Sequence, residues 1–588
     1  MQNAIAFADN DVVVVAWSYE RKLPGCMGFA VHRIDEAGIE TPLPSMAVFP
    51  GFKRKPGQTT NEFPIQKFYW KDPYARLVSD ETGLRKFRYK VVPLEGKPGK
   101  LKPMSIGYAV SNVVEVTPIL SKALAAYFNR GIISTQHVTQ ALDGKPEKGK
   151  LLERVADQSD PLRADLAGDM VAALTGFVGE AKTSGELYCA LYELGDEQLI
   201  FSLAALKSRL HVVLSNPKAS DEQSASGVTD GNSDSRDTLK AAGAEVLDRM
   251  FKTGQIGHNK FAVLVKNKKP AAVLFGSTNW TSTGLCTQTN NTIVWRNPEL
   301  AQHYLDYWNE LKKDTEAAKG DPKALQSAKL RTWDGKAKTF DLGDGATVTS
   351  WFSPNTPALR KGSGDNEKRP VDMDEVANLM LNAKSAILFL AFYPGSPSLA
   401  NWAAQAQKAN KGLFVRGCVT NPSASDGFVY ELKGITPPKR GDGAPPVKQD
   451  PRVVTAAALS RTVPAGWKKE ILTAGFAVTH DKIIVIDPFS DECVVVTGSH
   501  NLGHRASFNN DENLVIVKGQ RYLAEAYATH VLDIYDHFSW RSMVQRDGDK
   551  ADASLKVEPE EWQSRYYNDD GSIRNAQLRF WLSAVPSE

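Results

Sequence analysis

Cysteine is scarce in this chain: five residues in 588, at Cys26, Cys189, Cys286, Cys418 and Cys493. The number is odd and several sit in apolar runs such as Leu187-Tyr188-Cys189-Ala190. That argues against a disulfide framework and reads as buried free thiols in a reducing compartment. No stretch approaches the roughly 18 apolar residues of a membrane span. The basic-then-apolar order of a signal peptide is also missing, since Asp9 and Asp11 come before the short run Val12 to Val15. The reading is a cytoplasmic protein, with a removed leader or leaderless secretion left open. Charge of one sign is not in excess either. Seventy-one basic against 68 acidic residues leave +3, so any groove for a polyanion has to be local. The length is too great for one core and predicts two to four domains.

Residues 1–118 read as a small all-β sandwich domain. Val12 to Tyr19, Gly28 to Ile34, Phe68 to Trp70 and Lys86 to Val92 are short apolar or alternating runs parted by Gly, Pro and Asp. Trp17 on an early strand and Tyr89 on a late one resemble a fibronectin type III layout. Beyond this the pattern changes to an α/β alternation. Helical periodicity over Asp165 to Glu180 and Glu299 to Ala318 is interleaved with strand-like runs at Leu187 to Tyr192 and Leu210 to Leu214.

The α/β part is duplicated. Glu186 to Tyr192 parallels Ala386 to Tyr393, and each is followed by a helical pattern and a second strand. The second strands end in Ser215-Asn216-Pro217-Lys218-Ala219-Ser220-Asp221 and Thr420-Asn421-Pro422-Ser423-Ala424-Ser425-Asp426. A third apolar run headed by His-x-Lys comes next in both. Three matched pairs in one order define two copies of one unit, over 119–330 and 346–545, with 331–345 as linker and 546–588 as a C-terminal extension. The second copy is longer before its His-x-Lys. Its added Pro437-Pro438-Lys439-Arg440-Gly441 and Gly443-Ala444-Pro445-Pro446 have loop composition, suited to a lid or to a surface loop.

The first copy carries His258-Asn259-Lys260 and then Gly276-Ser277-Thr278-Asn279. The second carries His480-Asp481-Lys482 and then Gly498-Ser499-His500-Asn501. The separation from His to Asn is 21 residues in each. On a strand His and Lys share a face, with Phe261/Val263 and Ile483/Val485 turned the other way into a core. A hairpin returning through Ala272 to Phe275 or Val494 to Val496 delivers Ser and Asn beside them. Each copy therefore offers a titratable base, a fixed cation and an amide donor. Two such patches facing each other suit phosphoryl transfer. One imidazole attacks phosphorus to give a phosphohistidine, and the other gives a proton to the leaving alkoxide and recovers one from water or an alcohol. Lys260, Lys482, Asn279 and Asn501 bind the phosphoryl oxygens, with Ser277 and Ser499 alongside. No metal or other cofactor is required.

The paired signatures resemble those of the phospholipase D superfamily over both repeats, from about 119 to 545. The resemblance implies two α/β halves about a pseudo-twofold axis, a site at their interface and a phosphohistidine intermediate. The family's Asp after His-x-Lys is Asp487 in the second copy but Val265 in the first, and its later acidic residue is Glu512 in the second but Asn290 in the first. In the family this glutamate orients the histidine of the opposite half. Carried over, Glu512 supports the charge that develops on His258, and an amide, Asn290 or Gln288, suffices for His480. His258 is then the nucleophile and His480 the general acid/base.

Trp280, expected in the core or lining the pocket, is carried as a substrate contact, and with Leu502 it is expected to give the site an apolar surround suited to a lipid. His500 and His504 are expected at surface or supporting positions, and Lys266, Lys268 and Lys269 on a solvated hairpin tip. His32, His137, His211, His303, His530 and His537 have no motif partner. The first expectation for function is hydrolysis of glycerophospholipids, with transfer to alcohols as an extension and peripheral contact with a membrane. No obligate protein partner is implied. A nuclease using the same residues is the second expectation, and an inactive phosphodiester-binding protein the third.

Overall fold

The strands Gly185–Leu191 and Ala386–Ala391, equivalent in the sequence, occupy the same position in two sheets of identical order. The computed structural model describes residues 2–131, 148–217, 229–360, 368–437, 447–456, 478–547 and 554–584. The first sheet runs Leu124–Phe128, Asn291–Trp295, Lys269–Gly276, Lys260–Lys266, Gly185–Leu191, Leu210–Leu214, Glu245–Asp248. The second runs Ala346–Ser353, Asn510–Lys518, Val494–Gly498, Lys482–Ile486, Ala386–Ala391, Phe414–Val419, Val453–Thr455. In both, the last three of these seven strands are mutually parallel, and the other neighbours among the seven are antiparallel. The fold is mixed α/β with one unit repeated along the chain.

Burial on both faces explains why these strands are continuous apolar runs. Phe261, Val263 and Val265 enter a core shared with Ile483 and Val485 of the other sheet, while Ala262 and Leu264 enter a separate core under the first unit's helices. The expected polar face is thus corrected. Both His-x-Lys strands begin at their lysine, and the polar side chains gather at that end alone.

Three further expectations change. The single helix over 165–180 is two, Pro161–Ala167 and Met170–Ser184, interrupted at Gly168 with φ +53°. The linker 331–345 is structured, because Lys338–Gly343 pairs with Ala346–Ser353 as the outer strand of the second sheet. The N-terminal region holds a three-stranded sheet and a six-stranded one, but also a helix, Ala75–Thr82. The C-terminal segment docks where the sequence suggests. Trp581 packs on Phe7 and Tyr69, and Phe580 stacks on Phe414 of the second sheet. All five thiols are buried and unpaired. No helix among the described residues is long and apolar enough to cross a membrane. Lys218 to Asp221, Pro438 to Gly441, Gly443 to Pro446 and His137 lie outside the described residues.

Candidate active site

Backbone exchange between the two units builds the site. Just before His258, Ile256–Gly257 pairs in parallel with Asn510–Asp511 of the second unit, and the His258 N–H donates to Asp511 O at 2.9 Å. Just before His480, Val478–Thr479 pairs in parallel with Gln288–Thr289 of the first unit, and the His480 N–H donates to Thr289 O at 3.1 Å. Each histidine is therefore carried to the other unit's strand end. The imidazole centroids stand 6.5 Å apart.

The orientation of both rings follows from their partners. His258 Nδ1 lies 2.8 Å from Glu512 Oε2, and a carboxylate only accepts, so Nδ1 carries the proton and Nε2 keeps its lone pair. His480 Nδ1 lies 2.8 Å from Asn290 Oδ1. The amide is fixed because Asn290 Nδ2 donates to Gly284 O, so Oδ1 accepts and His480 likewise holds its proton on Nδ1. Gln288, the other candidate, contributes backbone pairing instead.

The serines are corrected from ligand contacts to supports. Ser277 Oγ donates to Asn290 Oδ1, Ser499 Oγ donates to Glu512 Oε2, and both are fully buried. The helices behind the sheets add a reciprocal pair. Tyr304 of Pro298–Ala318 donates to Asn513, and Tyr527 of Arg521–Asp547 donates to Asn291. His500 sits behind Glu512 with Ser507 and Asp372 as partners.

Lys260 Nζ donates to His258 O at 2.8 Å and lies over the Tyr192 ring. Lys482 Nζ donates to His480 O and lies over Phe392. The same rings pack against the histidines, Tyr192 on His258 and Phe392 on His480. Asn279 Nδ2 donates to Glu193 at 2.6 Å, and the amide oxygens of Asn279 and Asn501 have no hydrogen-bond partner among the described residues.

Asp487 is not brought to the site. It follows the strand Lys482–Ile486, roughly 16 Å beyond Lys482 at about 3.3 Å per residue, and its carboxylate accepts from the backbone N–H groups of Lys384, Ser385 and Ala386. It fixes the start of a neighbouring strand. Trp280 and Leu502 are also corrected: both are buried in the cores of their units. A surface cavity of about 670 Å³ is lined by His303, Lys312, Trp333 and Lys338 and by none of the motif residues. At the hairpin tip Asn267 and Lys268 adopt positive φ, and Lys266 pairs with Glu180.

Three features escaped the sequence reading. Glu193 and the two aromatic rings follow the strands Gly185–Leu191 and Ala386–Ala391, and aligning the repeats past their strand ends exposes them. His530 does have a motif partner, Asp481, at 3.0 Å. It occupies the position that Tyr307, bonded to Asn259, holds in the first unit.

Burial dominates the electrostatics. It pulls His258 down to about 4 although Glu512 opposes it, and pulls His480 well below the ordinary value with help from Lys482 and Lys260. Both imidazoles are neutral at pH 7 in the ligand-free site. Lys260 falls to about 8 through burial, partly offset by Glu512 and Glu193, and Lys482 is lowered further by Lys260. Burial works against the charge of Glu512, yet His258 beside it holds it below the usual carboxylate range.

A stability prediction follows. The unfolded chain protonates His258 near 6.5 and the folded chain only near 4, so this residue makes stability fall as pH drops through that window. His258→Asn removes about 3 kcal/mol of that acid-side loss. Urea unfolding of both proteins at pH 7 and pH 4 checks it; parallel losses in the two proteins contradict it.

A family model described as "Cardiolipin synthase, PLD-like domain" matches residues 180–312 and 376–533, which include both His-x-Lys motifs. No curated protein sequence matches significantly. Among solved structures, phosphatidylserine synthase of Haemophilus influenzae Rd KW20 is 14% identical, over 63% of this chain and 84% of that one, with a TM-score of 0.39. Polyphosphate kinase of Porphyromonas gingivalis is 12% identical, over 99% and 81%, with a TM-score of 0.35. The phospholipase D family member Nuc of Salmonella typhimurium is 20% identical, over 33% and 95%, with a TM-score of 0.21. Likeness at these levels says nothing about substrate.

Proposed function

The chain belongs to the phospholipase D superfamily, and from that premise we propose that it is a phosphodiesterase acting on glycerophospholipids through a phosphohistidine on His258. The observation that carries this reading is the facing pair of imidazoles at 6.5 Å, each with its Nδ1 anchored across the unit boundary and its Nε2 lone pair available.

His258 Nε2 attacks phosphorus as the P–O bond to the head-group oxygen breaks. The departing oxygen takes a proton from His480, whose protonation the incoming phosphate charge favours. Water then gives a proton to His480, its oxygen bonds to phosphorus, and the P–N bond to His258 breaks. An alcohol in place of water gives transfer. Glu512 favours the positive charge that His258 acquires on phosphorylation, and the neutral Asn290 leaves His480 readier to release its proton. Lys260, Lys482, Asn279 and Asn501 hold the phosphoryl oxygens, so the reading calls for no metal.

The lipid substrate is supported by the description of the matched family model. A nuclease would employ every one of these side chains, so substrate is decided by assay. Phosphatidylcholine vesicles and single-stranded DNA are offered to the wild type and to His258→Ala. Head-group release by the wild type alone is expected. Cleavage of DNA without lipid turnover sinks the lipid reading, and failure on both by a folded protein favours a binding role.

A further inference from the structure

The two units differ at one position that opens on the reacting centre. Lys260 pairs with Leu191 and Lys482 with Ala391, so two residues on Glu193 corresponds to Tyr393. Tyr393 is half exposed at 52%. Glu193 instead turns into the site. Its backbone O accepts from the N–H of Trp280, the residue after Asn279, and its carboxylate takes the Asn279 amide at 2.6 Å. The groups that act on it are Lys260 and Lys482 from the two motif strands, and burial raises it while both lysines lower it. Tyr192, next to it in the chain, is in turn raised by burial and by Glu193.

The charge balance gives Glu193 a task. Glu512 is already committed to His258, Ser499 and Asn510. Lys260, Lys482 and the proton that His480 takes up with the ligand, set against Glu193 and Glu512, leave one uncompensated positive charge for the ligand. A phosphodiester carries one negative charge, whereas a phosphomonoester or inorganic phosphate carries two above its second ionisation. We propose that Glu193 is a specificity-determining residue that admits singly charged phosphodiesters and disfavours doubly charged monoesters, so that a monoester product is expelled. This rests on the phosphodiesterase reading above and names the charge class that its site accepts.

The test uses bis(p-nitrophenyl) phosphate as the diester and inorganic phosphate as inhibitor at pH 8, with wild type, Glu193→Gln and Glu193→Asp. Gln preserves an acceptor for Asn279 without charge, and Asp preserves the charge. Glu193→Gln is expected to lower the ratio of phosphate Ki to diester KM about tenfold, and Glu193→Asp to keep the wild-type ratio. At pH 6, where more of the phosphate is singly charged, the difference between wild type and Glu193→Gln shrinks. Ki and KM moving together, or neither moving, overturns the proposal. Loss of turnover in a folded Glu193→Gln protein overturns it too, by placing Glu193 in the chemistry itself. A wild type that turns over no diester and binds no phosphate fails the underlying reading as well, and that result is distinct from the others.

Discussion

His258→Ala lowers kcat for phosphodiester cleavage by about 10⁴- to 10⁶-fold, the scale of losing a covalent nucleophile. The ring offers one lone pair to the site, at Nε2, because Glu512 holds the proton on Nδ1. Alanine removes that lone pair and leaves Lys260, Lys482 and the two asparagines to bind phosphate. KM should therefore change far less than kcat. Quenching in alkaline detergent during turnover, followed by peptide mapping at alkaline pH, should find the phosphoryl group on the peptide containing His258. Phosphate on His480 reverses the assignment, and a variant retaining a tenth of the activity removes the covalent step altogether.

His480→Ala gives the second large effect, and here the leaving group decides its size. An alkoxide needs a proton as the P–O bond breaks, so a lipid head group should be released about 10²- to 10⁴-fold more slowly. p-Nitrophenolate leaves without one. With bis(p-nitrophenyl) phosphate the first step should survive within about tenfold, while hydrolysis of the phosphohistidine, which needs a base for water, stalls. Stopped-flow mixing should show a burst of one nitrophenolate per protein and then slow turnover. Equal losses for both leaving groups, with no burst, contradict the acid/base role.

The duplicated unit and the reacting pair were legible because they are encoded locally. His-x-Lys and Gly-Ser-x-Asn each lie on one hairpin, and apolar runs of strand length set the sheet. What was misread turned on direction. Trp280 and Leu502 adjoin the motifs in the chain, yet each points into its own unit's core. Asp487 follows the right strand but leaves it at the far end. Ser277 and Ser499 occupy motif positions and serve the groups behind the histidines. Glu193 and the bond of His530 to Asp481 went unseen for a related reason. Their partners are distant in sequence, and a lone Glu or His carries no local pattern to mark it.

The strand exchange beside the histidines also orders events during synthesis. Chains emerge from the ribosome N-terminus first, so His258 appears long before Glu512 and before Asn510–Asp511, on which its own segment is laid. Until the second unit is translated, the first has an imidazole with no orienting carboxylate and no facing acid. The nascent chain thus carries no working phosphodiesterase, and a product truncated between the units is inert. Activity waits for the strand Asn510–Lys518, which takes up the His258 segment and brings Glu512 to its ring.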